Sequence, residues 1–373
     1  MRHAFFCLLL CLLLSSCHRQ ASGARHRDDL AVASSLSSSA SSSASHPPPS
    51  CPRSDRAPAV DATRGGGGDA AVLDGGDVVV DAGNAILRFL DSSSFEPPGG
   101  VDDRHPFHVQ GLRWHLMSLV RDAGRLERLA ERLMAAETTS AEGGGGGGGD
   151  GDLDGGGLAG LEAAANYVIN FNMAGFFRVQ ADLFDPFLRQ HLCEPDSVGR
   201  FVDGGGGAAE ADAFEKVVGR VEEYRVQSES IGRELYERAK AAASNPSDSS
   251  RHAQRRRTLL ADVTRSSRRL VAQLAPMRHL TETLVVPAIA RVVPPKVQKS
   301  FNSRVLRNLG LLESRVHLVG MRDAVWESGI VYEMEKFEEE IPYVARIMIE
   351  RWRKSLYLPK AEALDYGHYQ NCA

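Results

Sequence analysis

Several kinds of residue pattern are missing from this chain, and each absence removes a class of protein. No CxxC pair occurs among the six cysteines. Cys7, Cys11 and Cys17 crowd the first residues, while Cys51, Cys193 and Cys372 are remote and odd in number. That spacing supplies neither a disulfide framework nor a zinc site. There is no excess of positive charge: the formal net charge is −4, which excludes a strongly basic nucleic-acid binder. No run of alternating apolar and polar residues is long enough to make a sheet. GxSxG, HExxH and any Ser/His/Asp set of catalytic spacing are also absent, so no enzyme class has positive support. The glycine runs are followed by no Lys-Ser/Thr and preceded by no strand, so they are not phosphate loops.

What is present divides into a polar front and a helical body. The start, MRHAFFCLLLCLLLSSC, pairs a short basic region with an apolar run from Ala4 to Leu14. The run is too short to span a bilayer and suits a signal h-region, with a short membrane anchor as the alternative. Residues 1–22 therefore read as a signal or targeting peptide. Leu14-Ser15-Ser16-Cys17 also has the form of a lipobox. Residues 23–80 are rich in Ser, Pro, Gly and Asp and have little to bury, so they are expected to be a disordered linker. This front directs the protein to the secretory pathway, or to an organelle through a plastid-type bipartite address, and away from the cytosol. Contact with a membrane is expected only through an uncleaved N-terminal segment.

The body reads as helices set apart by glycine and proline. A short helix is expected over Ala82–Leu90, and a long one from about His105 to Ala136 with Leu112, Leu116, Leu119, Ala123, Leu126, Ala130 and Leu133 on one stripe. Gly143–Gly149 is a flexible connector. The next helix, Asn166–Leu192, buries Ile169, Met173, Phe176, Val179, Leu183, Phe184 and Phe187, with the polar Gln180 amid that stripe. A buried amide left unpaired costs roughly 1–3 kcal/mol, so Gln180 needs a partner. A third helix spans about Asp212–Ala243 and a fourth about Arg255–Val293, where Pro276 can bend the axis. Two more are expected, Lys296–Ala324 and Val325–Tyr357, the second kinked at Pro342. The fold class is all-α: an antiparallel four-helix bundle over 81–295, a helical extension over 296–358 and a tail over 359–373.

Three segments, RVQADLFDPFLRQHL, MRHLTETLVVPAIARVVPP and GLRWHLMSLVRDAGRL, resemble the second, fourth and first helices of the hemerythrin-like, or HHE cation-binding, family. The resemblance covers about Arg104 to Pro295 and rests on helix order and two Pro-ended segments. It implies an up-down bundle holding two non-haem irons between histidines and carboxylates. At the positions implied for ligands, however, this chain has Phe176, Gln180, Ser228, Met277 and Thr281. Phe cannot ligate, and amide, hydroxyl and thioether groups are poor partners for iron. These five are expected to meet at the bundle centre.

The remaining donors are His108, His115, Gln180, His279 and Glu282, with His279 brought inward if Pro276 turns the helix. Two readings follow. The chain is a non-enzymatic binding or structural module with its di-iron site lost and no cofactor, or it is a non-haem iron protein that binds or senses oxygen through a reduced ligand set. Its partner, protein or small molecule, is not specified by the sequence, and no nucleic acid is expected. The arginines of RHAQRRRTLLADVTRSSRR and the acids Glu333, Glu335, Glu338, Glu339 and Glu340 read as solvated helix faces, and His317 as a structural residue beside an apolar stripe.

Overall fold

The computed structural model describes residues 82–83, 85–86, 108–142, 153–199, 207–244 and 250–365, all within one compact unit, Thr63–Ala373. Residues 1–22 and 23–80, expected to be a targeting peptide and a linker, the Gly143–Gly149 run and the last residues lie outside the described set. Among the described residues the protein is all-α, about 94% helical with no strand. Ala82 and Ile86 of the short leading segment are buried.

Helix α1 is Gln110–Glu142, and its stripe from Leu112 to Ala130 is buried as the periodicity requires. Helix α2 (153–192) begins a dozen residues before the sequence suggests, because Leu158, Leu161, Ala164 and Ala165 continue its buried face upstream. After the short α3, Pro195–Gly199, come α4, Ala208–Ala243, and α5 (250–292). Pro276 sits inside α5 without ending it.

A proline rule shapes α2, α5 and the last helix. Each widens into a π-helical turn, at Gln180–Phe184, Thr281–Val285 and Arg353–Tyr357. Each turn stops two residues before a proline, Pro186, Pro287 or Pro359. The proline ring crowds the carbonyl four residues back and offers it no N–H. The residue before the proline therefore bonds five residues back: Asp185 to Gln180, Val286 to Thr281, Leu358 to Arg353. Wider turns re-aim the side chains that follow, the usual consequence of a π bulge.

The long helices run in opposite senses wherever side chains join them. Between α1 and α5, Glu137 takes three bonds from Arg256 (2.8, 2.9 and 3.2 Å), while Glu131, earlier on α1, takes Arg268, later on α5 (2.6 Å). Between α4 and α5, Arg238 donates to Ser266 (3.1 Å) and Glu234 faces Arg269 (3.7 Å). Between α2 and α4, Asp185 faces Arg225 and Arg189 reaches back to Glu222 (3.0 Å) and Glu215. Between α1 and α2, His115 meets Phe176 near one end and Leu133 meets Gly157 near the other.

Beyond α5 the chain is more broken than its sequence suggests. In place of two helices there are α6 (Pro295–Asn308), α7 (Leu311–Ser328), α8 (Val331–Glu340) and α9 (343–361), with a closing 3-10 turn, Glu362–Asp365. The breaks fall at Gly310 and Gly329, whose φ of 74° and 68° suit glycine, and at Pro342, which starts a new helix and does not kink an old one. Helix α7 packs along α1.

Candidate functional site

A buried polar chain crosses the contact of α1, α2, α7 and α9. His115, Ser118 and Asp122 follow one another along the inner face of α1 and are almost fully buried. Asn172, on a π-helical stretch of α2 (Asn166–Met173), donates its amide nitrogen to Asp122 Oδ2 at 2.9 Å. The amide oxygen therefore faces His115, whose Nε2 lies 3.2 Å from it. An oxygen there can only accept, so His115 carries its proton on Nε2 and leaves Nδ1 bare. Asp122 Oδ1 accepts from Arg121 Nε at 2.8 Å, and Arg121 Nη2 also donates to the Tyr357 hydroxyl of α9 at 2.8 Å. The Tyr357 ring stands edge-on to that of Tyr167, with centroids 6.0 Å apart.

Helix α7 adds His317. Its ring lies 4.3 Å from that of His115 and stacks on Phe171 at 4.9 Å. Its Nε2 stands 3.5 Å from Glu313 Oε1, the edge of hydrogen-bonding range, and Glu313 is held by both oxygens to Arg178 at 2.8 Å. Gly175 makes this approach possible, since a Cβ there would sit 2.6 Å from His317 Nε2.

Burial sets the protonation states. It holds the His115 imidazole well below its ordinary value, helped by His317 and opposed by the Asn172 bond. It lowers His317 as well, against the pull of Glu313. Burial pushes the Tyr167 and Tyr357 hydroxyls upward, with Asp122 adding to both. Burial works against the Arg121 charge too, but Asp122 and the tyrosines hold the guanidinium firmly protonated. The site is two neutral imidazoles beside a buried Arg–Asp pair. As a chemical object it can fix a geometry and pass hydrogen-bond polarity along; it presents no exposed nucleophile.

The remaining expected residues are scattered. The His108 N–H donates to Gln298 Oε1 at 2.7 Å and its ring meets Glu340 at 3.1 Å. His279 is exposed, and Glu282, on the flank, pairs with Arg278 at 2.9 Å. Pro276 does not swing His279 inward. Phe176, Gln180, Ser228, Met277 and Thr281 are all buried; Thr281 donates to the Met277 carbonyl at 2.8 Å, and the Gln180 amide acts to lower the Asp185 carboxyl. Among the described residues no group of three or more His, Cys, Asp or Glu is placed to hold a metal ion. The donor set therefore does not suit a di-iron centre.

The arginines of the 251–269 stretch keep a largely solvated face: Arg255, Arg265, Arg268 and Arg269 are exposed, the last two reaching acids of α1 and α4 across the surface, while Arg256 is buried against Glu137 of α1. One acidic reading changes. Glu333 is not solvated. It is buried, accepts from Trp114 Nε1 at 3.0 Å and from Arg113, and pins α8 to α1.

Sequence reasoning missed His317, Asp122, Asn172, Arg121 and Tyr357 as one group. A signal existed on α1, where His115, Ser118 and Asp122 repeat at helical steps on the apolar side. No family model matches the chain, and neither a curated protein nor a solved structure does.

Proposed function

We propose that this chain is a hemerythrin-like antiparallel four-helix bundle whose metal centre has given way to packed and hydrogen-bonded side chains, leaving a non-enzymatic binding or structural module. Two observations support the architecture. The pairs α1–α2, α2–α4, α4–α5 and α5–α1 are each joined in opposite senses, and four such pairs close a ring of four helices. The Pro-ended π turns recur in α2 and α5, the helices of the two Pro-ended segments of the resemblance, and once more in α9.

The observation that carries the loss of metal is what surrounds His115, the inward histidine of α1: the rings of Phe176, which stands at an implied ligand position, and of His317 pack tilted against it at 4.8 and 4.3 Å. With His279 exposed, no second imidazole of α5 reaches it. On this reading no residue of the chain is a metal ligand. The N-terminal segment is proposed as the address that exports it. No helix of the described residues is long and apolar enough to cross a membrane.

Metal analysis of the purified full chain tests this directly. The reading expects less than stoichiometric iron and a melting temperature unchanged by a chelator, because a metal bound only to the native state stabilises it. Stoichiometric iron, with melting lowered by many degrees on chelation, establishes the iron-protein reading in its place.

A further inference from the structure

We propose that the Gln180–Asp185–Arg225 contact is an acid-sensitive catch on the α2–α4 seam, which tightens when the Asp185 carboxyl takes up a proton. The geometry begins with the proline rule. In an α-helix, residues five apart point about 140° away from each other. The π turn Gln180–Phe184 brings Gln180 and Asp185 onto one face, where the Gln180 amide acts to lower the Asp185 carboxyl. Both are buried, at 1% and 7% exposure.

The contact is poorly satisfied while Asp185 is charged. Its Oδ2 stands 3.7 Å from Arg225 Nη2, beyond a direct hydrogen bond. Its Oδ1 has no hydrogen-bond partner, and neither does Gln180 Oε1 or Arg225 Nε. Ser228 Oγ, one turn further along α4, is also without one. Arg225 has Glu222 and Glu229 at 3.3 Å to hold it without Asp185. A proton on Oδ1 gives that oxygen a hydrogen to donate and removes a buried charge that its cation does not reach.

The charges acting on Asp185 favour this. Desolvation raises its carboxyl to about 6, with Glu222 of α4 adding to the rise; Arg225 of α4, Arg189 of α2 itself and the Gln180 amide oppose it. Of the other elements packed on this end of α2, the Val286–Val292 end of α5 brings Arg291 and α3 brings Asp196. An unfolded aspartate titrates near 4, so between pH about 4 and about 6 only the folded protein holds this proton. The contribution of Asp185 to stability is greatest below about 4, falls as pH rises to about 6, and is flat above.

Hydrogen exchange of the full chain, corrected for intrinsic rates, reads the seam locally. Peptides covering 180–192 should be severalfold better protected at pH about 5 than at about 7.5. Asp185→Asn should give the acid level of protection at both. Equal protection of the wild type at the two values overturns the catch, and so does a pH dependence that survives in Asp185→Asn. Should that variant fail to fold, Glu222→Gln keeps the question open to measurement. Removing its charge should move the wild-type midpoint to lower pH, and a midpoint that stays in place also overturns the proposal.

Discussion

Asn172 donates its side-chain amide to Asp122 across the α1–α2 contact at 2.9 Å, and that bond determines which face of the amide His115 meets. The amide is thus the joint between a buried ion pair and a neutral imidazole. Leucine in its place keeps the volume but leaves Asp122 and His115 each short of a partner. Asn172→Leu should cost about 2–5 kcal/mol, more than an ordinary core substitution, because buried polar groups are stranded on both sides. Denaturant unfolding checks this, with Asn172→Asp as a companion. Asp there sets a second carboxylate against Asp122, and should be worse than Leu at neutral pH.

Gly175 marks the closest approach of α7 to α2. A methyl group at that position meets His317 Nε2 at 2.6 Å and Glu313 Oε1 at 2.7 Å. Glu313 can swing away, but His317 is wedged between His115 and Phe171. Gly175→Ala should therefore destabilise by about 1–3 kcal/mol, against the usual helix preference for alanine. The double variant with His317→Ala should recover part of that loss. A Gly175→Ala protein as stable as the wild type refutes the close approach.

The two histidines and Asp185 give opposite pH signatures. Burial depresses both imidazoles in the folded state. An unfolded histidine takes a proton near pH 6.5 that the folded protein refuses, so their contribution to stability is present above that value and lost as pH falls through it. His317→Phe keeps the ring stack on Phe171 and removes one titrating group. It should flatten the fall in stability between pH about 6.5 and about 5. Thermal melts across that range decide the matter; an unchanged slope would show that His317 already carries its charge in the fold.

How much of this was legible follows from which signals are local. The stripes of α1, α2, α4 and α5 are periodic and were readable, as was the need of Gln180 for a partner. The partner itself was not. Asp185 lies five residues on, off the α-helical face, and only the π turn forced by Pro186 brings it round. Likewise, no spacing rule links His115 to His317, because their contact is made by α7 folding back along α1. The breaks at Gly310 and Gly329 were readable in principle, since a glycine after a run of helix formers is a stop signal. The continuous apolar periodicity across them masked it.

The position of Gln180 sets up a test in which sequence and structure make different demands. Taken alone, a buried amide in an apolar stripe is a liability, and Gln180→Leu should be neutral or stabilising. In the structure its amide acts to lower the Asp185 carboxyl, so the substitution takes a favourable dipole from a buried charge. At pH about 7.5 Gln180→Leu should then cost about 1–3 kcal/mol, the desolvation penalty of the stranded carboxylate. At pH about 5, where Asp185 of the variant is protonated more fully than before, the cost should shrink. Combining it with Asp185→Asn should give less than the sum of the two single effects at neutral pH, since residues in one contact do not act independently. Equal costs at both pH values, with strict additivity, would place the Gln180 partner elsewhere in the core.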